Sequence, residues 1–182
     1  MEVLIKFGKK MVAQGLAASQ FGNLSKRVGD RLFISKRGSM LDDLEGEIID
    51  VSLKEEGPQD HLASSELVVH RAIYEHTPAL AILHGHSPFA VILSLLFPKE
   101  KTLVPRDEEG ASFLNEIHII EGMSGSSDLA RVASLALRDH KGIIVRGHGS
   151  FARGKTAQEA FVTLSSVENS CKILYFLNLS KF

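Results

Sequence analysis

The sequence predicts a single α/β domain, because its length suits one hydrophobic core and because helical and extended hydrophobic patterns alternate along it. The chain has 182 residues, of which 44% are hydrophobic. Such a chain can bury one core well and is too short for two ordinary domains. The sequence contains no internal repeat, low-complexity segment or linker. We therefore expect one domain that covers residues 1–182.

The N-terminal half of the chain predicts two helices and three strands. In order, these are a helix near residues 4–12, a β-hairpin over 21–35, a strand over 47–52 and a helix over 64–74. The hairpin turns at Gly29-Asp30, since a glycine beside a short polar residue favours a tight turn. A serine pair followed by Glu66 is a favourable helix N-terminus, because hydroxyl and carboxylate groups stabilise the first free amides. His70 lies one turn after Glu66, so the spacing allows a hydrogen bond between them.

The C-terminal half predicts strands and helices that alternate up to a long final helix. The first are a strand over residues 79–86, a buried helix over 89–97, and short strands at 102–105 and 117–120 separated by an acidic loop at 107–110. Then follow a helix capped by Ser127-Asp128 and ended by Gly142, a strand over 143–145 and a long helix from Thr156. Thr156 and Glu159 have the spacing of a capping box, in which side chains and amides at a helix start bond reciprocally.

Charge and cysteine content argue against several classes of protein. The 21 basic and 22 acidic residues nearly cancel, so we expect no nucleic-acid partner but a small-molecule or protein partner. Cys171 is the only cysteine, which leaves no disulfide framework and restricts any metal site to histidine and carboxylate ligands. Residues 2–7 are charged and unlike a signal peptide, and no window reaches about 18 apolar residues. We therefore expect a cytoplasmic protein with no membrane partner.

Two histidines at the end of the strand over residues 79–86 have the spacing of a metal-chelating pair. Side chains alternate faces along a strand, so His84 and His86 point the same way, about 6.6 Å apart. Later in the chain, His148 stands between two glycines, which leave its imidazole unobstructed and suit a third zinc ligand. The alternative is that the pair is two partly buried histidines and that His148 belongs to an ordinary glycine-rich turn.

Three polar segments indicate an anion site and a general base. Gly22-Asn23 lies at the entry of the β-hairpin and residues 35–39 at its exit, so amides, polar side chains and two cations would meet at one end of it. Ser64 and Ser65 offer hydroxyl and N–H groups to a phosphate, and Glu66 beside them is a candidate general base. The alternative is two ordinary loops and a well-capped helix.

Five motifs, in their order and approximate spacing, resemble those of the class II aldolase/adducin family. They are Gly22-Asn23-Leu24-Ser25, the turn from Ser35 to Gly38, Ser64-Ser65-Glu66, His84-Gly85-His86 and Gly147-His148-Gly149. Each motif is weak alone, but together they are specific and cover essentially the whole chain; within the family, the L-fuculose-phosphate aldolases are most similar. The resemblance implies a three-layer α/β/α sandwich with a central, mostly antiparallel mixed sheet. It also implies a homotetramer with active sites at subunit interfaces.

The resemblance further implies a role for each motif. One zinc ion per subunit, or another divalent metal, would be held by His84, His86 and His148. The phosphate of a sugar-phosphate substrate would be held by Gly22, Asn23, Arg37, Gly38, Ser64 and Ser65. Glu66 falls on the catalytic acid/base. The implied reaction is reversible cleavage of a ketose 1-phosphate to dihydroxyacetone phosphate and an aldehyde, in which the metal stabilises an enediolate while Glu66 moves the proton.

Two departures from the family pattern leave the reaction open. The aldolases carry a Thr-Pro-Ser/Thr-Gly turn where this chain has residues 35–38, so cations replace a hydroxyl. The aldolases also use tyrosines to protonate the aldehyde oxygen, and this chain has only Tyr74 and Tyr175.

Three alternatives follow from these departures. One is a methylthioribulose-1-phosphate dehydratase of the same family. Residues 145–152 resemble the region around the third histidine in these dehydratases. Another is a non-catalytic assembly module like the adducin head, against which the retained histidines and Glu66 argue. Ribulose-phosphate 4-epimerases are disfavoured, because they carry Asp in place of Glu66.

Overall fold

The computed structural model describes residues 1–179, which form one mixed β-sheet with helices on both faces. The strands are β1 (Asn23–Val28), β2 (Arg31–Ser35), β3 (Ile48–Ser52), β4 (Ala81–Gly85), β5 (Thr102–Leu103), β6 (Ile117–Ile120), β7 (Gly142–Val145) and β8 (Gly149–Gly154). The helices are α1 (Glu2–Ala13), α2 (Leu67–His76), α3 (Pro88–Leu96), α4 (Glu108–Leu114), α5 (Ser127–Asp139) and α6 (Ala157–Leu179). A short 3₁₀ helix, Asp60–Leu62, precedes α2. Within this range no helix is long and apolar enough to cross a membrane.

The eight strands lie in the order β3-β2-β1-β4-β8-β7-β6-β5. Neighbouring strands are antiparallel except β6 and β7, which run parallel. The register places Asn23 of β1 opposite His84 of β4, and His84 opposite Phe151 of β8. The mostly antiparallel mixed sheet is therefore confirmed, and its central strands bring distant segments of the chain side by side.

Helices cover both faces of the sheet, which confirms the three-layer α/β/α sandwich. On one face, α2 and α5 pack around a core that contains Ile73 and Leu129. On the other face, α1, α3 and α4 pack against the long helix α6. Successive residues of β4 point to opposite layers: Ile82 joins the first core and Leu83 joins the second. A strand that is buried on both faces has to be apolar throughout, as this one is up to its histidine.

Helix α2 begins later than the serine motif predicts. Its first residue is Leu67, and Glu66 occupies the N-cap position without making a capping hydrogen bond through its side chain. Ser64 and Ser65 lie in the turn before the helix, where Ser64 Oγ accepts the N–H of Glu66 at 3.3 Å. The carboxylate of Glu66 is bonded instead to side chains from other parts of the fold, so it does not serve the helix end.

Other boundaries also differ from the predictions in the second half of the chain. The acidic segment at 107–110 is the start of α4 and not a loop, because the Asp107 carboxylate accepts the N–H of Gly110 at 2.8 Å. Ser126 caps α5, one residue earlier than predicted, and Gly142 opens β7 where a helix end is expected. Strand β8 is not predicted at all, because its glycines and its arginine obscure the alternating pattern.

Glu168 of α6 anchors the start of α3, the helix that follows the histidine pair. Its carboxylate oxygens accept the N–H groups of Phe89 and Ala90 at 2.9 and 3.0 Å. These amides lie in the first helical turn, where no carbonyl of the helix can reach them. Burial raises the pKa of Glu168, although the two amides and Lys172 act against that shift. The contact holds the segment that leaves β4 and so supports the position of His86.

We expect Glu168→Ala to lower the free energy of unfolding by about 1–3 kcal/mol, because two buried amides lose their acceptor. Glu121→Ala is the matched control, since the Glu121 side chain is 73% exposed and a surface ion pair contributes at most about 1 kcal/mol. Urea denaturation followed by circular dichroism measures both variants. Equal losses would contradict the anchoring role of Glu168.

Candidate active site

Strand β4 carries two of the three predicted metal ligands to one end of the sheet. His84 lies in β4 and His86 directly follows it, and their ring centroids are 5.0 Å apart. His148 stands in the tight connection between β7 and β8, with its ring centroid 4.8 Å from each of the other two. One nitrogen of each imidazole lies within 4.8 Å of those of its neighbours. The sheet thus brings the three histidines together at one point.

Glycines allow the two histidine segments to approach each other. A β-carbon on Gly149 would collide with the carbonyl oxygen of Gly85, and one on Gly85 would collide with the carbonyl oxygen of Leu16. Gly147 has a φ of +68°, in the left-handed region that residues with a β-carbon disfavour. The glycines that flank the histidines are therefore required by the close backbone packing.

The histidine nitrogens fit a divalent cation. His84 is fully buried, and its Nδ1–H donates to the carbonyl oxygen of Ser150 at 3.0 Å, which leaves the lone pair on Nε2. His84 Nε2 and His148 Nδ1 are buried and have no hydrogen-bond partner within residues 1–179. Burial holds the pKa of His84 well below its usual range, so this imidazole is neutral, as a metal ligand must be. Together with His86, these atoms form a nitrogen donor set that suits zinc.

Glu66 lies beside the histidines and is held there by donors from two other segments. Its side chain is 2% exposed and accepts hydrogen bonds from Asn23 Nδ2 at 3.1 Å and Ser124 Oγ at 3.0 Å. Its oxygens lie 3.3 Å from His84 Nε2 and 4.0 Å from His148 Nδ1. Burial alone would raise the pKa of Glu66, but the neighbouring imidazoles and the Asn23 N–H outweigh burial and lower it. The result is an ionised carboxylate next to the histidine cluster.

His70 does not bond to Glu66, because Asn23 lies between them. His70 Nε2 is 2.6 Å from Asn23 Oδ1, and the amide nitrogen of Asn23 donates to Glu66. Asn23 also lines the cavity described next. A side-chain amide has two N–H groups, so one remains for a ligand while the other holds the carboxylate.

A cavity of about 230 Å³ opens in front of Glu66 and the histidines. It is lined by nearly all of the predicted site residues, and His84 lies behind its wall, in contact with Glu66 and His148. The predicted residues that line it are Gly22, Asn23, Arg37, Gly38, Ser64, Ser65, Glu66, His86 and His148. The fold thus brings every predicted site residue into or against a single cavity.

The part of the cavity lined by Lys36, Arg37 and Ser65, which we call the anion end, is suited to an anion. Lys36 Nζ is bonded to the carbonyl oxygen of Gly46 at 2.8 Å and to Glu47 at 3.3 Å, so its charge is partly neutralised. The Arg37 guanidinium and the Ser65 hydroxyl, by contrast, have no hydrogen-bonding partner among residues 1–179. A free guanidinium beside hydroxyl and backbone groups can form charge-assisted hydrogen bonds to a phosphate.

The sequence patterns miss three side chains of the site. Ser124 donates to Glu66 from the loop after β6, and Phe21 stacks on His86 with centroids 5.5 Å apart. Phe151 of β8 stacks on His84 at 4.1 Å. The sequence gives a weak indication of Ser124, because Gly122 and Gly125 near it predict a loop. Phe21 and Phe151, which stack on the histidines, can be identified only from the three-dimensional arrangement of the chain.

Comparisons with known proteins agree with this arrangement. The family model described as the class II aldolase and adducin N-terminal domain matches residues 2–175. The chain is 30% identical over 179 residues to a methylthioribulose-1-phosphate dehydratase of Gluconobacter oxydans, covering 91% of this chain and 86% of that protein. It is 31% identical over 159 residues to an L-fuculose phosphate aldolase of Methanococcus maripaludis, covering 86% of this chain and 85% of that protein.

The crystal structure of the L-fuculose-1-phosphate aldolase of Thermus thermophilus superposes with a TM-score of 0.92. Its sequence is 32% identical, and the match covers 99% of this chain and 94% of that one. Because the family model spans almost the whole sequence and the predicted site residues meet in one cavity, this chain belongs to the class II aldolase and adducin family.

Proposed function

We propose that this protein is a zinc-dependent aldolase that reversibly cleaves a ketose 1-phosphate to dihydroxyacetone phosphate and an aldehyde. The observation that carries the proposal is the single cavity that is lined by Glu66 beside the histidine cluster and by Arg37, whose guanidinium has no partner within residues 1–179. A phosphate bound at Arg37 and a carbonyl bound at the histidines would place the carbon between them beside Glu66. The similarity to L-fuculose phosphate aldolases supports this substrate class.

Phosphate binding, metal binding and proton transfer would each be carried out by different residues of the chain. Arg37, Gly38, Ser64 and Ser65 would hold the phosphate, so that the reacting carbon stays within reach of the carboxylate. His84, His86 and His148 would hold the zinc ion, which when bound supplies Lewis-acid polarisation of a substrate oxygen. Glu66 would take the proton from, or return it to, the carbon next to the carbonyl. Asn23 and Ser124 keep the carboxylate aimed at that carbon.

A second candidate is dehydration of methylthioribulose 1-phosphate, in which Glu66 would take the proton from the carbon next to the carbonyl and the hydroxyl group on the following carbon would leave as water. Neither tyrosine of this chain lines the cavity: Tyr74 is buried beside Ser25, and Tyr175 packs on Phe89 in the first turn of α3. An aldolase needs a proton donor at the aldehyde oxygen, and this chain offers no tyrosine in the cavity for that role. Together with the similarity to dehydratases, this observation keeps water elimination as the alternative.

The first experiment identifies the product. We expect the purified, zinc-loaded protein to release dihydroxyacetone phosphate from L-fuculose 1-phosphate, detected by coupled reduction with NADH. The same preparation is incubated with methylthioribulose 1-phosphate, and the products are weighed by mass spectrometry. Loss of water from the second substrate, without cleavage of the first, would replace the aldolase with the dehydratase. No reaction with either substrate would favour the non-catalytic assembly module. We also propose a homotetramer, which analytical ultracentrifugation of the same preparation would detect.

The second experiment separates metal binding from proton transfer. We expect Glu66→Gln to keep one divalent ion per chain but to lose at least about 100-fold in kcat, because the amide cannot accept the proton. His148→Ala should lose both metal and turnover, whereas His118→Ala serves as a control, since His118 stacks on His140 away from the cavity. Metal is measured by inductively coupled plasma mass spectrometry. Near-normal turnover by Glu66→Gln would show that the proton-transfer role is wrong.

The third experiment tests the anion end. We expect Arg37→Gln to raise KM by about 10- to 100-fold, because a hydrogen bond to a charged group contributes about 1.5–3 kcal/mol, while kcat changes little. Arg131→Gln is the matched control, since Arg131 lies on α5, exposed and paired with Asp128. Steady-state kinetics with the phosphorylated ketose measures both variants. An unchanged KM in Arg37→Gln would exclude the guanidinium as a phosphate ligand.

A further inference from the structure

A chain of buried hydrogen bonds runs from the interior of the protein to Glu66. Tyr74 Oη lies 2.8 Å from Ser25 Oγ, which lies 2.6 Å from His70 Nδ1. His70 Nε2 lies 2.6 Å from Asn23 Oδ1, and Asn23 Nδ2 lies 3.1 Å from Glu66 Oε2. Each of these residues is at most 6% exposed. Ser25, His70 and Tyr74 do not line the cavity, so each of these groups depends on its neighbour in the chain for a hydrogen bond.

The direction of every bond in this chain follows from the side-chain amide of Asn23. Its nitrogen, which only donates, faces Glu66, and its oxygen, which only accepts, faces His70. His70 must then carry its proton on Nε2, which makes Nδ1 an acceptor for the Ser25 hydroxyl.

The other end of the chain completes this direction. Ser25 donates its only proton to His70, so its oxygen is left to accept the phenol proton of Tyr74. Burial lowers the pKa of His70 to about 4 and raises the pKa of Tyr74, so near neutral pH the imidazole is uncharged and the phenol is protonated. The chain of hydrogen bonds requires these two protonation states: a neutral His70 and a protonated Tyr74.

We propose that His70 is a positioning residue, whose Nε2–H fixes the orientation of the Asn23 amide and thereby delivers an N–H group to the Glu66 carboxylate. The inference rests on the proposed function only for its kinetic consequences, because the orientation of the amide exists without substrate. An Asn23 side chain without this partner could rotate by half a turn. Its carbonyl oxygen would then face the carboxylate, and the repulsion would move Glu66 from its place beside the histidines.

The tautomer of His70 is measured first, because it does not depend on turnover. Nitrogen-15 NMR of the histidine-labelled protein between pH 6 and 8 should show one buried imidazole that is neutral with its proton on Nε2. His70→Gln identifies the signal by its disappearance, and Asn23→Ala should alter it. A proton on Nδ1, or a charged imidazole in this pH range, would overturn the proposal even if the protein catalysed neither reaction.

Kinetics then separate positioning from a merely structural role. We expect His70→Leu to lower kcat by about 10- to 100-fold, as for other residues that orient a catalytic group without contacting the substrate. KM should stay within about threefold of the wild-type value, and the metal content should not change. His76→Leu, at the exposed end of the same helix, is the matched control with normal kcat. His70→Gln should recover most of the lost kcat, because an amide can still donate to Asn23 Oδ1.

A double variant provides the decisive comparison. If His70 acts through Asn23, then Asn23→Ala combined with His70→Leu should have the same kcat as Asn23→Ala alone, since the coupling between the two residues is already lost. A further loss of kcat in the double variant, or normal kcat in His70→Leu, would show that His70 does not position the carboxylate.

Discussion

The constraint on which the site depends is the burial of the Glu66 carboxylate. A buried charge is costly unless donors surround it, and here they come from separate parts of the chain: Asn23 at the start of β1 and Ser124 in the loop after β6. The same carboxylate contacts His84, which lies in β4, and adjoins His148, which lies in the turn between β7 and β8. The contacts of this one charged group therefore connect the elements that form the cavity. Because the Glu66 side chain makes these contacts, it does not cap the N-terminus of α2.

The strand order makes this convergence possible. Strands β1, β4 and β8 are neighbours in space although β8 follows β4 by more than 60 residues, so Asn23, His84 and Phe151 form a row across the sheet. Close backbone approach at Gly85 and Gly149 lets the His148 turn reach the ends of the strands. Because the sheet is packed on both faces, the row cannot shift without disturbing two cores.

The cavity is chemically divided, and the division bears on the choice between reactions. Histidine nitrogens and a carboxylate lie together in one part of it and suit a reaction that moves a proton next to a carbonyl. Another part is lined by Arg37, whose planar guanidinium can bind a phosphate through two parallel hydrogen bonds. Cleavage and dehydration differ in the bond that breaks, carbon–carbon or carbon–oxygen, and neither Tyr74 nor Tyr175 lines the cavity to exchange a proton with the departing oxygen.

Sequence alone predicted the α/β elements from their hydrophobic periods and, through the resemblance of five motifs to a known family, the three-layer sandwich that the structure confirms. The His-Gly-His spacing and the glycines around His148 are local signals, so they also predicted which side chains meet at one place. The sequence did not determine strand β8, the start of α2 or the helical nature of residues 107–110, where glycines, a buried carboxylate and an aspartate cap override the local pattern. Only the tertiary structure decided that Asn23 separates His70 from Glu66. It also decided that, of the two cations lining the cavity, Lys36 is bonded and Arg37 has no side-chain partner within residues 1–179. The physical reason is that hydrogen-bond partners of buried polar groups are chosen by strand register and burial, which join residues far apart in the chain.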